Sequence, residues 1–298
     1  MSNQPDITDF DHLKDDPLSA LAWLIDMGVD EVIGEETIDW FAREDTPPPT
    51  IKPSGKLSAK PSAGAPHIDV SNKRLTPSAP VQSAARAVSS SDNLIEDARK
   101  LAGACKTIDD LITTLGKFEG CSLSRTATNL SFIDGNVNAD ILIIDESPGR
   151  EEDLQGKPLV GRSGQLLDKM IGHIGLSRSN ETPISSVLVS NLVFWRPPGN
   201  RKPTDSETMM CVPFINKLIE ITSPKIIVCL GAMTAQRLTG QSLGIQRLRG
   251  RWFEYQRGDK TIPVLCSLRP AFLLNQPAQK VLAWQDLINL KLKLLELG

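Results

Sequence analysis

Residues 141–167 read ILIIDESPGREEDLQGKPLVGRSGQLL. The run opens on Ile141-Leu142-Ile143-Ile144, four apolar and mostly β-branched residues, as a buried strand does. It then passes through Asp145-Glu146-Ser147-Pro148-Gly149, crosses a loop punctuated by Gly156 and Gly161, and enters an amphipathic segment at Gly164. That order predicts a strand, a functional loop and a helix. In a parallel sheet the loops leaving the carboxyl ends of strands meet in one crevice, so Asp145, Glu146 and the backbone amides around Ser163 are expected to face a ligand. Taken alone, Glu146 reads first as a solvated loop acid and Ser163 as a helix N-cap, and the rest of the chain shifts that balance.

The flanking sequence repeats the pattern. Strand candidates stand at 187–193, 226–230 and 262–265, separated by helical segments at 164–174, 206–221 and 232–238, with a closing helix over 279–297 and a further helical stretch over 93–116. Four apolar strands with helical crossovers predict an α/β fold, a three-layer α/β/α sandwich around a four-stranded, largely parallel sheet. The strand ends then mark the crevice: 145–149, 191–200, 231–233 and 267–272.

Upstream, 1–44 reads as a small acidic helical segment with Trp23 and Trp40. It is too short for a core of its own, so it packs on the main domain or docks on another protein. Residues 45–92, rich in Pro, Ser, Ala and Lys, read as a disordered linker, leaving 93–298 as the main domain. The 298-residue chain carries a net charge of −3, but residues 1–92 hold 8 Lys and Arg against 15 Asp and Glu, and the remainder 25 against 21. Only the second part suits a polyanion. No stretch is long and apolar enough to span a membrane and the acidic start does not suit a signal peptide, so a cytoplasmic, monomeric protein is expected. The five cysteines lack paired C-x-x-C spacing, which argues against a disulfide framework or a zinc ribbon.

Two of the strand-end loops are basic. Asn191 leaves its strand ahead of Trp195-Arg196-Pro197-Pro198-Gly199-Asn200-Arg201-Lys202-Pro203. An asparagine there can offer a donor and an acceptor to a nucleobase edge, and Arg196, Arg201 and Lys202 suit phosphates. Arg269 stands immediately before Pro270, and Leu248-Arg249-Gly250-Arg251-Trp252-Phe253 mixes basic and aromatic residues, as a nucleic-acid surface or a surface strand would.

Residues 118–297 resemble the family 4 uracil-DNA glycosylases, iron-sulfur members of the uracil-DNA glycosylase superfamily. The family's Gly-Glu-Ala-Pro-Gly motif is matched by Asp145 to Gly149, its Glu-Asp by Glu152-Asp153, its Gly-x-Pro-Phe-Val-Gly by Gly156 to Gly161, and its Ala-Gly-x-Leu-Leu by Ser163 to Leu167. Asn191 and Arg196 to Pro203 match the family's Asn and Arg-Pro-Pro run. Leu230-Gly231-Ala232 and Leu248 to Arg251 keep family order. The resemblance implies excision of uracil from flipped-out DNA, leaving an abasic site in base-excision repair. It implies that Glu146 positions water or stabilises the sugar cation, and that Asn191 reads the uracil edge. Ser147 and Gly149 offer amides to the leaving base, and Gly161, Ser163, Gly164, Arg201, Arg249 and Arg251 meet the DNA.

The departures from the family carry expectations too. The family's cluster uses four cysteines, of which Cys121 and Cys211 remain; Phe118 and Trp195 stand at the other two positions. No metal or other cofactor is therefore expected, with an aromatic plug in place of the [4Fe–4S] group. The family's stacking Phe is Leu159, and its motif His is Arg269, which either stabilises charge on the uracil oxygen or pairs with Asp145 or Glu146. The alternative reading is a glycosylase fold that has lost catalysis and serves as a DNA-binding protein, or recruits a repair or replication partner through its N-terminal segment.

Overall fold

Every residue of Ile141–Asp145 is buried, because the strand lies in the middle of a sheet covered on both faces. In the computed structural model, which describes residues 17–28, 83–258 and 260–297, six strands form one sheet. They are β1 (Ile133–Gly135), β2 (Ile141–Asp145), β3 (Val187–Asn191), β4 (Ile226–Leu230), β5 (Trp252–Arg257) and β6 (Lys260–Ser267), in the order β1-β3-β2-β4-β6-β5. The four expected strands are its parallel centre, and β1 and β5 extend it as antiparallel edges. The sheet is thus six-stranded rather than four-stranded. Both edges lack the continuous apolar run that marks a strand buried on two faces.

The described helices are α1 (Pro17–Asp26), α2 (Ser83–Ala104), α3 (Ile108–Gly116), α4 (Arg150–Gln155), α5 (Gly161–Gly172), α6 (Asp205–Thr222), α7 (Ala232–Thr239), α8 (Ile245–Leu248), α9 (Pro270–Asn275) and α10 (Lys280–Leu297). The stretch 93–116 is two helices, divided where Thr107 and Asp110 form a reciprocal capping box. Side chains alternate across the sheet. Leu142 and Ile144 join a core with Leu111, Phe214 and Ala235, while Ile141 and Ile143 join one with Leu167, Met170 and Leu290, giving three layers.

Helix α2 begins at Ser83, inside the segment expected to be linker, where Ala84, Ala85 and Ala87 favour helix. The rest of the expected linker, 45–82, lies outside the described residues. So do 1–16 and 29–44, with Trp40.

Helix α1 packs on its own domain. Trp23 is fully buried with its ring 5.2 Å from that of Trp284, and Lys280 donates to the carbonyl of Met27 at 2.5 Å. Burying such a side chain contributes about 1.5–3 kcal/mol. The indole N–H of Trp23 has no partner, a cost of about 1–3 kcal/mol. Buried Met27, the Lys169 bond to the Asp26 carbonyl at 3.1 Å and the 3.4 Å approach of His173 to the Asp26 carboxylate add to the docking.

Candidate active site

Asp145 and Asn191 are register partners at the carboxyl ends of β2 and β3, and Leu230 pairs with Ser267 at the ends of β4 and β6. The β2 to β3 crossover runs one way and β3 to β4 the other, so the four strand ends open on a topological switch point. Arg269, just past β6, spans the gap. Its Nε and Nη2 donate to the two oxygens of Asp145 at 2.6 and 2.9 Å, and Nη1 donates to Glu146 Oε2 at 2.9 Å. Of the alternatives open in the sequence, Arg269 takes the pairing, with both acids. Burial alone would lower its pKa, but the charges of Asp145, Glu146 and Glu152 outweigh that and raise it.

Glu146 Oε1 accepts the Met233 N–H of α7 at 3.0 Å. Gly231 lets β4 pass this closely: its φ is +92°, and a Cβ there would lie 2.5 Å from Glu146 Oε1 and 2.7 Å from Arg269 Cδ.

A cavity of about 230 Å³ opens beside the pair, walled by Asp145, Ser147, Gly149, Leu159, Asn191 and Arg269 among others. Glu146 is not among its walls; the acids that line the cavity are Asp145 and Glu152. The Asn191 amide donates from Nδ2 to the carbonyl and hydroxyl oxygens of Ser131, at 3.1 and 3.2 Å. Its Oδ1 is buried without a partner. Ser131 therefore sets which end of the amide is left for a ligand. A larger groove, about 1120 Å³, lies between α6 and the β5–β6 hairpin, but none of the unpartnered buried polar side chains among the described residues lines it.

The Gly149 N–H, offered by the sequence reading to the leaving base, is taken: it donates to Glu152 Oε2 at 3.0 Å, while Glu152 Oε1 accepts Val160 N–H at 3.1 Å. Burial pushes the Glu152 carboxyl above its usual range. Leu159 is buried at φ +48° in the cavity wall. Ser131, Glu152 and Gly231 were not given roles from sequence. Glu152 stood in a quoted motif and Gly231 at a strand end, but Ser131 has no local signal.

The residues assigned to DNA divide. Gly161, Ser163 and Gly164 sit together at the start of α5, with Ser163 reaching the cavity. Glu151 lies against Gly161, where a Cβ would be 1.7 Å from its carboxylate. Arg251 stays at the surface with its guanidinium over the Phe253 ring, 5.6 Å from the centroid. Arg201 is engaged by Glu207 through two bonds of 2.8 and 2.6 Å. Arg249 turns inward to Asp286 and the Leu282 carbonyl, so it ties the turn between α8 and β5 to α10 rather than standing free for a phosphate.

Burial pushes Asp286 up to about 6 from 3.8, against the bonds from Ser267 and Arg249. A carboxyl whose folded pKa is raised binds its proton more tightly when folded, so this contribution is full below the unfolded value and lost as pH rises through the folded one. Stability measured by urea unfolding should therefore carry a downward component between about pH 4 and about pH 6. Asp286→Asn should flatten it, and an unchanged slope would contradict this assignment.

Cys121 and Cys211 are both fully buried, and each perturbs the other's thiol. Burial holds the Cys211 thiol well above its usual range. Phe118 stacks on Trp195 at 6.4 Å and meets Phe214 edge-on at 5.1 Å. Among the described residues no three His, Cys, Asp or Glu side chains are grouped to hold a metal ion. A [4Fe–4S] cluster takes four thiolates, and two thiols beside packed aromatic rings do not fit it.

A three-layer α/β domain with a carboxylate–guanidinium pair and a buried, unpartnered amide oxygen beside a cavity at its switch point has the layout of a ligand crevice. The sequence matches the uracil DNA glycosylase superfamily model over residues 132–293. It is 35% identical over 176 residues to the type-4 uracil-DNA glycosylase of Archaeoglobus fulgidus, covering 58% of this chain and 85% of that protein. With the type-4 enzyme of Thermotoga maritima the identity is 34% over 166 residues, covering 55% and 82%, and with that of Saccharolobus solfataricus 34% over 181, covering 59% and 81%. The chain belongs to the uracil DNA glycosylase superfamily, within its type-4 branch.

Proposed function

We infer that this protein is a uracil-DNA glycosylase of base-excision repair, hydrolysing the N-glycosidic bond of a flipped-out uracil to leave an abasic site. The observation that carries the chemistry is the buried, unpartnered Asn191 Oδ1 in the wall of a cavity that also contains Arg269. Uracil presents N3–H to such an acceptor, whereas cytosine presents a lone pair there, and two facing acceptors repel.

As the glycosidic bond breaks, its electron pair goes to the base and positive charge builds on the sugar, with water supplying the new hydroxyl. Arg269 uses three of its five N–H groups on Asp145 and Glu146. The other two are available to a base carbonyl, where a fixed cation stabilises the departing anion. The paired carboxylates supply negative potential for the sugar and an acceptor for the water proton. Asp145 faces the cavity, and Glu146 anchors Arg269 to the N-terminus of α7.

In this reading DNA contacts the start of α5 and Arg251, the protein works as a monomer in the cytoplasm, and recruitment of a repair or replication partner falls to the N-terminal segment, 1–44. The aromatic packing of Phe118, Trp195 and Phe214 supports catalysis without an iron-sulfur cluster, since it ties together the loops that a cluster would tie.

Iron analysis and uracil excision on one anaerobic preparation test both points. Excision without stoichiometric iron is expected. About four irons per chain would overturn the cluster-free reading, and absence of excision from folded protein would overturn the enzyme.

A further inference from the structure

Arg178 belongs to none of the motifs that identify the family, yet it is the most heavily engaged arginine near the cavity. It follows α5, and its side chain is 11% exposed. Nε donates to Asp168 at 2.7 Å, Nη1 to Asp134 at 3.2 Å and to the Pro158 carbonyl at 3.0 Å, and Nη2 to the Leu159 carbonyl at 2.6 Å. The Leu159 carbonyl and the Val160 N–H belong to one peptide plane, and Glu152 holds the second of these. The plane is thus gripped on opposite sides by a guanidinium and a carboxylate. Gly164 closes the remaining side, since a Cβ there would lie 1.9 Å from the Leu159 oxygen. A leucine at φ +48° persists only where its surroundings over-determine it, and these contacts do so.

Glu152 passes the constraint on. Its second oxygen holds Gly149 N–H, so the grip on Leu159 and the position of the Ser147–Gly149 loop are joined through one side chain. Both segments wall the cavity.

We propose that Arg178 is a positioning residue: acting with Glu152 on the Leu159–Val160 peptide, it sets the Leu159 wall against the Ser147–Gly149 loop at the spacing the flipped base requires. This rests on the reading of the cavity as the uracil site. Arg178 touches neither base nor sugar, so its loss acts on the rate through alignment, and a displacement near 1 Å lowers a rate by about 10²-fold.

The test uses full-length Arg178→Ala and Arg178→Lys. Single-turnover excision at saturating enzyme is expected to fall by about 10²-fold in Arg178→Ala while the Kd for uracil-containing DNA stays unchanged. Lysine cannot reproduce the fork, so Arg178→Lys should retain most of the defect even where its melting temperature is that of the wild type. Added methylguanidinium should restore part of the Arg178→Ala rate, and methylammonium should not. Amide hydrogen exchange over 159–164 reads the clamp without catalysis and is expected to quicken in both variants. Exchange unchanged at those amides, or a loss of rate that only tracks a smaller folded fraction, would overturn the proposal. If wild-type protein fails to excise uracil while exchange still quickens at 159–164, the clamp stands and the uracil reading falls.

Discussion

Arg269→Ala is expected to lower both stability and rate. The substitution leaves Asp145 and Glu146 side by side at a buried strand end, with the cation that joined them gone. Breaking a buried pair by removing one member costs about 3–5 kcal/mol, because the remaining charge stays desolvated. The guanidinium is about a quarter exposed, which places the expected loss at the lower end of that range. Urea unfolding measures it. The excision rate should fall by about 10²–10³-fold, the usual effect of removing one donor from an anion-stabilising site. Arg269→Lys should recover little, since an ammonium cannot span both oxygens of Asp145 and also reach Glu146.

Arg269→His separates charge from shape. The imidazole starts from about 6.5, and the neighbouring carboxylates raise it. The variant is active only while protonated, so its rate should fall as pH rises through that raised pKa. The wild-type profile stays level over the same window because the guanidinium keeps its proton. Parallel profiles for the two proteins would contradict a charge role for Arg269.

Asn191→Leu carries the largest expected effect on specificity. The amide is held by Ser131 so that Oδ1 is the end left without a partner, the end proposed to read the base. Leucine removes the acceptor for N3–H, and a site built to hydrogen-bond loses about 10⁴-fold when that bond cannot form. It also strands the Ser131 carbonyl, at about 1–3 kcal/mol of stability. Ser131→Ala is the graded control. The amide keeps its bond to the Ser131 carbonyl and loses only that to the hydroxyl, so a loss of about tenfold is expected, near the worth of one hydrogen bond. A rate in Asn191→Leu close to wild type would remove Asn191 from base recognition.

The sequence makes the centre of the sheet legible because each central strand is apolar throughout, and it makes the crevice legible because unusual residues follow every strand. Strands β1 and β5 are not legible in the same way: Ile133–Gly135 is three residues long, and Trp252–Arg257 buries only Tyr255. Arg249 looked like a phosphate contact because its basic and aromatic neighbours are local, whereas its partner Asp286 lies on α10. Arg178 and Ser131 are not legible for a similar reason, since the partners that give them their roles, Leu159 and Asn191, come from other parts of the chain. The pairing of Arg269 was foreseen as one of two options, and only the fold places Asp145 and Glu146 within its reach. Trp23 could equally have faced a partner protein, and the position of Trp284 turns that one side chain inward.

Uracil excision is proposed to take place at the Arg269–Asp145–Glu146 cluster and Asn191. Its most direct test is the free base released from a uracil-containing single strand under enzyme excess, identified by mass. Stoichiometric release of uracil, with none of cytosine or thymine from control strands, is the predicted result; intact glycosidic bonds in the presence of folded wild-type protein would contradict it.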